Sequence, residues 1–348
     1  MKYNITLQEG LNSIEVFDGR KFTYRFTPAI YSRGAPLLIL ASARGTKVPS
    51  KFNRKNWNVL SVVDTFGRKG DMSAYLGEKG NFFIKELLYE LVQAAISKCE
   101  CIPKKNLFFY ASSIASGAGI GQGILSDARA VYLNSPIIRV HDTTMYKSKY
   151  MECDKNIDYV IPPHMKNVIE ADGVRFLKAH THKKLPTFFV CDSLHQSESW
   201  LQNFLEEHTY YFVNACKEEG VEVHLELIDT EGHKVHHTMQ EVIELFDKYV
   251  KPQYLDLMHV SVALDRDILS VECTLGKDYP VKKDPVFAFY LMYKGERKYF
   301  RGYEGENKME FILDEEIDIK DVEVIAFVKD KDGIKLSKKY VCNAYVIV

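Results

Sequence analysis

This 348-residue chain predicts an α/β protein, a mostly parallel sheet covered on both faces by helices, followed by a separate all-β module. Three observations carry that prediction. From Pro36 onward, short apolar runs alternate with segments of helical period, as successive strand-helix-strand crossovers do. Runs such as PLLILA (36–41) and PTFFVC (186–191) are apolar throughout rather than alternating, which suits strands buried on both faces. After Lys251 and Pro252 the helical segments stop, and short alternating runs separated by Lys-Gly-Glu, Glu-Gly-Glu and Lys-Asp-Gly turns take over.

The elements follow in order. Residues 13–30 read as an antiparallel hairpin around Gly19-Arg20, followed by strands at 36–41 and 58–63, the latter ending at Asp64. Phe82, Phe83, Leu87, Leu88, Val92 and Ile96 recur at helical spacing, so 81–98 is an amphipathic helix. A strand enters the small-residue stretch 106–123, and 130–133 gives the next. Residues 141–184 interrupt the alternation with a forty-residue insertion holding Pro162-Pro163, expected to be a lid or substrate-binding cap. Its histidines, His164, His180 and His182, are expected in solvent. Strands at 186–191 and 221–228 flank a helix at 198–219, and a last amphipathic helix covers 239–250. The expected domains are therefore 1–252 and 253–348, the second a sandwich of roughly seven strands resembling immunoglobulin-like modules.

Composition excludes several classes. With 46% hydrophobic and 27% charged residues the chain can build a sizeable core. A formal net charge of −1, with both signs interspersed, lacks the basic stripe of a nucleic-acid binder. Seven cysteines without a CxxC pair suit a reducing compartment, and no signal-like or membrane-length apolar run is present, so a cytoplasmic location is expected.

The chemistry is expected at NLFFYASSIASGAGIGQG (106–123). A nucleophile elbow places a serine on a tight strand-to-helix turn and needs small residues two positions to either side. Only Ser113, between Ala111 and Ala115, meets this on both sides, although glycine is the usual flank. Ser112, Ser113 and Ser116 could otherwise simply begin a helix. The glycines at 117, 119, 121 and 123 are spaced GxGxGxG rather than GxGxxG, and no GK[ST] follows, which argues against a nucleotide loop. They instead allow the next helix to pack closely on the sheet.

A serine hydroxyl needs a base, and the base needs an orienting group. Ser113, Asp192 after the run 186–191, and His233 in DTEGHKVHHT (229–238) follow the order serine, acid, histidine on successive strand ends. His233 is preferred to His236 and His237 because it lies in the turn directly after its strand, and Glu198 is a reserve acid. Oxyanion donors are expected at the backbone of Ile114 and near Ser42 and Ala43, in the turn after the strand 36–41. Metal binding by the same histidines is the competing reading. It lacks the HExxH glutamate, since Lys234 stands there, and no metal is expected.

Ala41-Ser42-Ala43, then Phe52, Arg54 and Trp57, the elbow YASSIAS from Tyr110, and Gly232-His233 together resemble a known family. It is that of the α/β-hydrolase-fold proteins of bacterial capsular polysaccharide synthesis, including capsule O-acetyltransferases. The chain is also similar to the acetyltransferase-like component of accessory Sec glycoprotein export. The likeness spans about residues 30–250. It implies a serine-dependent O-acetyltransferase with acetyl-coenzyme A as acyl donor and a polysaccharide or oligosaccharide as acceptor. Capsule-assembly proteins or a second copy of the chain are the partners it suggests. A carbohydrate esterase with the same triad, or a sugar-binding or assembly protein without catalysis, are the alternatives.

Overall fold

The apolar runs of the first 254 residues assemble into one eight-stranded sheet. In the computed structural model the residues described are 3, 5–42, 55–70, 73–140, 157–165, 167–195, 204–280 and 284–342. The chain divides into two compact units, Met1–Tyr254 and Leu255–Val348. The hairpin β1 (Gly10–Glu15) and β2 (Lys21–Thr27) leads into β3 (Leu37–Ser42) and β4 (Asn58–Val63). β5 (Leu107–Ser112), β6 (Ala130–Asn134), β7 (Thr187–His195) and β8 (Val223–Glu231) complete the sheet. The spatial order is β1-β2-β4-β3-β5-β6-β7-β8. The pairings from β4 through β8 are parallel, and the two involving β2 are antiparallel. β4 is buried at every position, the signature of a strand covered on both faces.

Helices cover the sheet. α1 (Phe83–Cys99) buries Phe83, Ile84, Leu87, Leu88, Leu91 and Val92 among the side chains of β3, β4 and β5. After the short turn α2 (Pro103–Asn106), helix α3 (Ser116–Leu125) lies against β5 and β6. α4 (Gly173–Ala179) and α5 (Tyr211–Glu218) follow, and α6 (Met239–Tyr249) opens on a capping box of Thr238 and Glu241. On the other face α6 packs Val242, Ile243 and Phe246 with Leu38, Phe108, Tyr132 and Phe189.

The glycine run has a packing reason at two positions. A Cβ on Gly119 would stand 2.6 Å from the Ala111 Cβ, and one on Gly123 2.5 Å from Val131. The same crossing explains why residue 111 is small. Gly119→Ala is expected to destabilise the protein by about 1–3 kcal/mol, because neither backbone can yield without disturbing the turn at 113. A chemical-denaturation curve unchanged from the parent would contradict this reading of the crossing.

Several boundaries differ from the sequence expectation. β7 and β8 each run past their apolar stretch, to His195 and Glu231, because they continue to pair with one another. A π-helical turn (Leu205–Tyr210) precedes α5 within the expected 198–219 helix, and residues 196–203 lie outside the described residues. Within 141–184 the described part holds short 3-10 turns and α4, while 141–156 lie outside it. His164 and His182 are exposed there, and His180 is half-buried with its Nδ1 2.8 Å from the Phe176 carbonyl. No helix among the described residues is long and apolar enough to cross a membrane.

The second unit consists of two antiparallel sheets. β9 (Met258–Asp265), β10 (Ile268–Leu275) and β13 (Lys308–Ile312) form one. β11 (Val286–Tyr293), β12 (Glu296–Glu304), β14 (Val322–Lys329) and β15 (Lys335–Val341) form the other. β14 buries Val322, Val324, Ala326 and Val328 and leaves the alternate positions half-exposed, the period-2 pattern of a strand with one face in a core.

Candidate active site

β5 ends at Ser112, and the chain turns sharply into a 3-10 turn (Ser113–Ala115) that runs on into α3. Ser113 sits at the tip with φ +52°, a left-handed conformation that side chains other than glycine rarely adopt. Strain of that kind persists where the surroundings over-determine it and is common at reactive positions. Here the Ser113 carbonyl accepts the Ile137 N–H at 3.1 Å, which anchors the turn to the segment after β6. The Ser113 side chain reaches His233, with Oγ 2.7 Å from Nε2. The hydroxyl donates to that nitrogen whenever the nitrogen carries no proton.

His233 is held by its loop. Asn134 Nδ2 donates to the Lys234 carbonyl at 2.6 Å, Ser135 Oγ donates to the same carbonyl at 3.1 Å, and the His236 N–H donates to Asn134 Oδ1 at 2.9 Å. The end of β6 thus pins residues 234–236 and with them the imidazole at 233. Phe204 lies edge-on to the His233 ring, with centroids 5.4 Å apart. The other two histidines go elsewhere. His236 Nε2 is 3.2 Å from Ser193 Oγ and 3.5 Å from Ser135 Oγ, and burial holds its pKa below the ordinary imidazole value. His237 Nδ1 is 2.7 Å from the Tyr132 hydroxyl.

Asp192, the acid expected to orient His233, makes its hydrogen bonds to other groups. Its carboxylate is fully buried, with Oδ1 accepting the Ser193 N–H at 2.8 Å and Oδ2 accepting the Thr209 hydroxyl at 2.6 Å. Among the described residues no hydrogen bond joins it to His233. The physical reason is the length of β7, which continues three residues past Asp192 and keeps it inside the sheet. Side chains alternate across a strand, so the neighbouring Ser193 is the one that meets the histidine loop, through Gly232 O and His236. Glu198, the reserve acid, and Ala43 lie outside the described residues. Ser42 is the last residue of β3. Ile114 directly follows Ser113, and N–H groups in a first helical turn have no acceptor within the helix.

His208 belongs to this neighbourhood and carried no sequence signal. His208, fully buried in the π-helical turn, accepts the N–H groups of Ile138 at 3.1 Å and Arg139 at 3.3 Å on Nδ1. Its proton therefore sits on Nε2. Burial first, then the nearby charges of Arg139 and His233, push its pKa down to about 3. The unfolded chain binds a proton near pH 6.5 that the native state refuses. Its contribution is therefore complete above about pH 6.5 and is lost as pH falls towards 3, at about 1.4 kcal/mol per pH unit. His208→Asn, which can present Oδ1 to the same N–H groups, is expected to flatten that limb of the stability profile. An identical acid limb in parent and variant, from urea unfolding at several pH values, would assign it to other groups.

No protein-family profile and no curated protein sequence matches the chain. Solved structures do. FphF, a fluorophosphonate-binding serine hydrolase of Staphylococcus aureus, is similar at 11% identity and TM-score 0.50 over 70% of this chain and 98% of that one. A chain of the Gap123 glycosylation-associated complex of Streptococcus agalactiae is similar at 11% identity and TM-score 0.50. That match covers 70% of this chain but only 48% of its counterpart. The capsule O-acetyltransferase of Neisseria meningitidis serogroup A shows 15% identity and TM-score 0.48 over 69% and 92% of the two chains. The fold of the first unit is that of the α/β hydrolases.

Proposed function

We propose that this protein is a serine-dependent acyltransferase that forms an acyl-enzyme on Ser113 and passes the acyl group to a carbohydrate hydroxyl. The observation that carries the reading is the 2.7 Å approach of His233 Nε2 to a serine hydroxyl on a left-handed turn at the head of a helix. In the first step Ser113 Oγ attacks the carbonyl of acetyl-coenzyme A while its proton passes to His233 Nε2. The carbonyl oxygen becomes an oxyanion facing the Ile114 N–H and the backbone at the end of β3, near Ser42 and Ala43. Collapse breaks the carbon–sulfur bond, and the coenzyme A thiolate leaves with the proton from His233. A sugar hydroxyl then gives its proton to His233, attacks the acyl-enzyme, and releases Ser113. The third role, fixing the tautomer of His233, goes to Glu198, the remaining acid of the sequence reading.

The acetyl donor and the polysaccharide acceptor rest on the family resemblance of residues 41–57, 110–116 and 232–233. A carbohydrate esterase is the second reading, favoured by the likeness to a fluorophosphonate-binding serine hydrolase. The two differ only in whether water or a sugar reaches the acyl-enzyme. The test is to incubate the protein with acetyl-coenzyme A and capsular oligosaccharides and follow both by mass. Acetyl on the glycan supports transfer, and acetyl lost from a pre-acetylated glycan supports the esterase. If neither occurs and a fluorophosphonate leaves Ser113 unlabelled, the acyl-enzyme reading fails.

A further inference from the structure

The histidine loop carries a second cluster that the serine chemistry does not use. Cys191 on β7 and Glu226 on β8 are direct partners in the parallel register, so their side chains leave the sheet on the same face. His237, at the end of the loop, comes down over that face. One ligand atom of each residue, the Cys191 sulfur, a Glu226 oxygen and a His237 ring nitrogen, lies within 4.8 Å of the other two. We propose that Cys191, Glu226 and His237 form a binding site for a divalent metal ion of the zinc class.

Three features support this beyond the grouping itself. His237 Nε2 stands 3.5 Å from Glu226 Oε2, long for a hydrogen bond. It is close to the roughly 3.4 Å that separates nitrogen and oxygen ligands when both lie about 2.1 Å from a tetrahedral zinc. The other ring nitrogen, Nδ1, is 2.7 Å from the Tyr132 hydroxyl, and metal-binding histidines characteristically have their second nitrogen fixed by such a partner. Tyr132 is itself immobilised, fully buried and stacked on Tyr110 with rings 9° from parallel. Cys191 is buried and Glu226 exposed, so the cluster has an inner wall and an open side from which an ion can enter. Three protein ligands leave the fourth position for water. Because His237 is four residues from His233, the ion would also brace the loop that holds the catalytic imidazole.

The test uses the full chain, stripped with chelator and then dialysed against Zn²⁺ or Co²⁺ alone. One equivalent of zinc per chain should be retained, and the Co²⁺ form should show a thiolate-to-metal absorption band. Glu226→Gln, at an exposed position where folding is not at risk, should weaken binding at least tenfold. Cys191→Ser should abolish the thiolate band. Retention of no stoichiometric metal, or a thiolate band of full strength in Cys191→Ser, would overturn the site. None of these readouts depends on acyl transfer, so the outcome is separate from the fate of the serine mechanism.

Discussion

Ser113→Ala is expected to lower kcat/KM by about three orders of magnitude or more, the loss typical when the nucleophile of a serine-histidine pair is removed. Ser113→Gly should be equally inactive but more stable than the parent by about 1 kcal/mol, since glycine adopts φ +52° without the steric cost that serine bears there. The opposed signs separate a catalytic serine from a helix-capping one. A capping serine would lose stability in both variants and leave turnover intact. Steady-state kinetics and urea unfolding on the same three proteins decide the matter. Residual turnover above a few per cent in either variant would remove Ser113 from the chemistry.

The second large effect concerns the orienting acid. On the proposed mechanism Glu198→Gln is expected to reduce kcat by about 10²- to 10⁴-fold, because a neutral amide no longer favours the histidine tautomer and charge that catalysis needs. Asp192→Asn should do the reverse. Its carboxylate accepts from two donors, the Ser193 N–H and the Thr209 hydroxyl. An amide turns one of those acceptors into a donor facing a donor, at a cost of about 1–3 kcal/mol. Activity per folded molecule should largely survive. If Asp192→Asn is folded yet catalytically dead while Glu198→Gln turns over normally, the roles are exchanged, and the β7 geometry would have to rearrange on substrate binding.

The sequence-level argument and the structure part company at identifiable residues. Ser113 was legible because an elbow demands small neighbours at fixed offsets, and the packing of Gly119 against Ala111 shows that demand as a contact. His233 was legible because only one histidine of its cluster lies directly after Gly232, where the loop turns back to the sheet. At Asp192 the apolar run ends, whereas the strand does not. Whether a polar residue after such a run is at the rim or inside the sheet depends on how far the neighbouring strand continues, and β8 continues to Glu231. His208, Ser193 and Thr209 carried no local signal. Their partners are backbone groups and side chains distant in sequence, as with His208 and the N–H groups of Ile138 and Arg139.

By itself the amino-acid order determined which segments become strands and helices, where the grammar changes near residue 252, and which serine the turn must expose. These are matters of local period and local steric demand. The tertiary structure alone decided which face of β7 each polar side chain takes, and that Cys191, Glu226 and His237 converge. Those outcomes depend on strand register and length, which are set by pairing between segments far apart in the chain and are invisible to any window that moves along it.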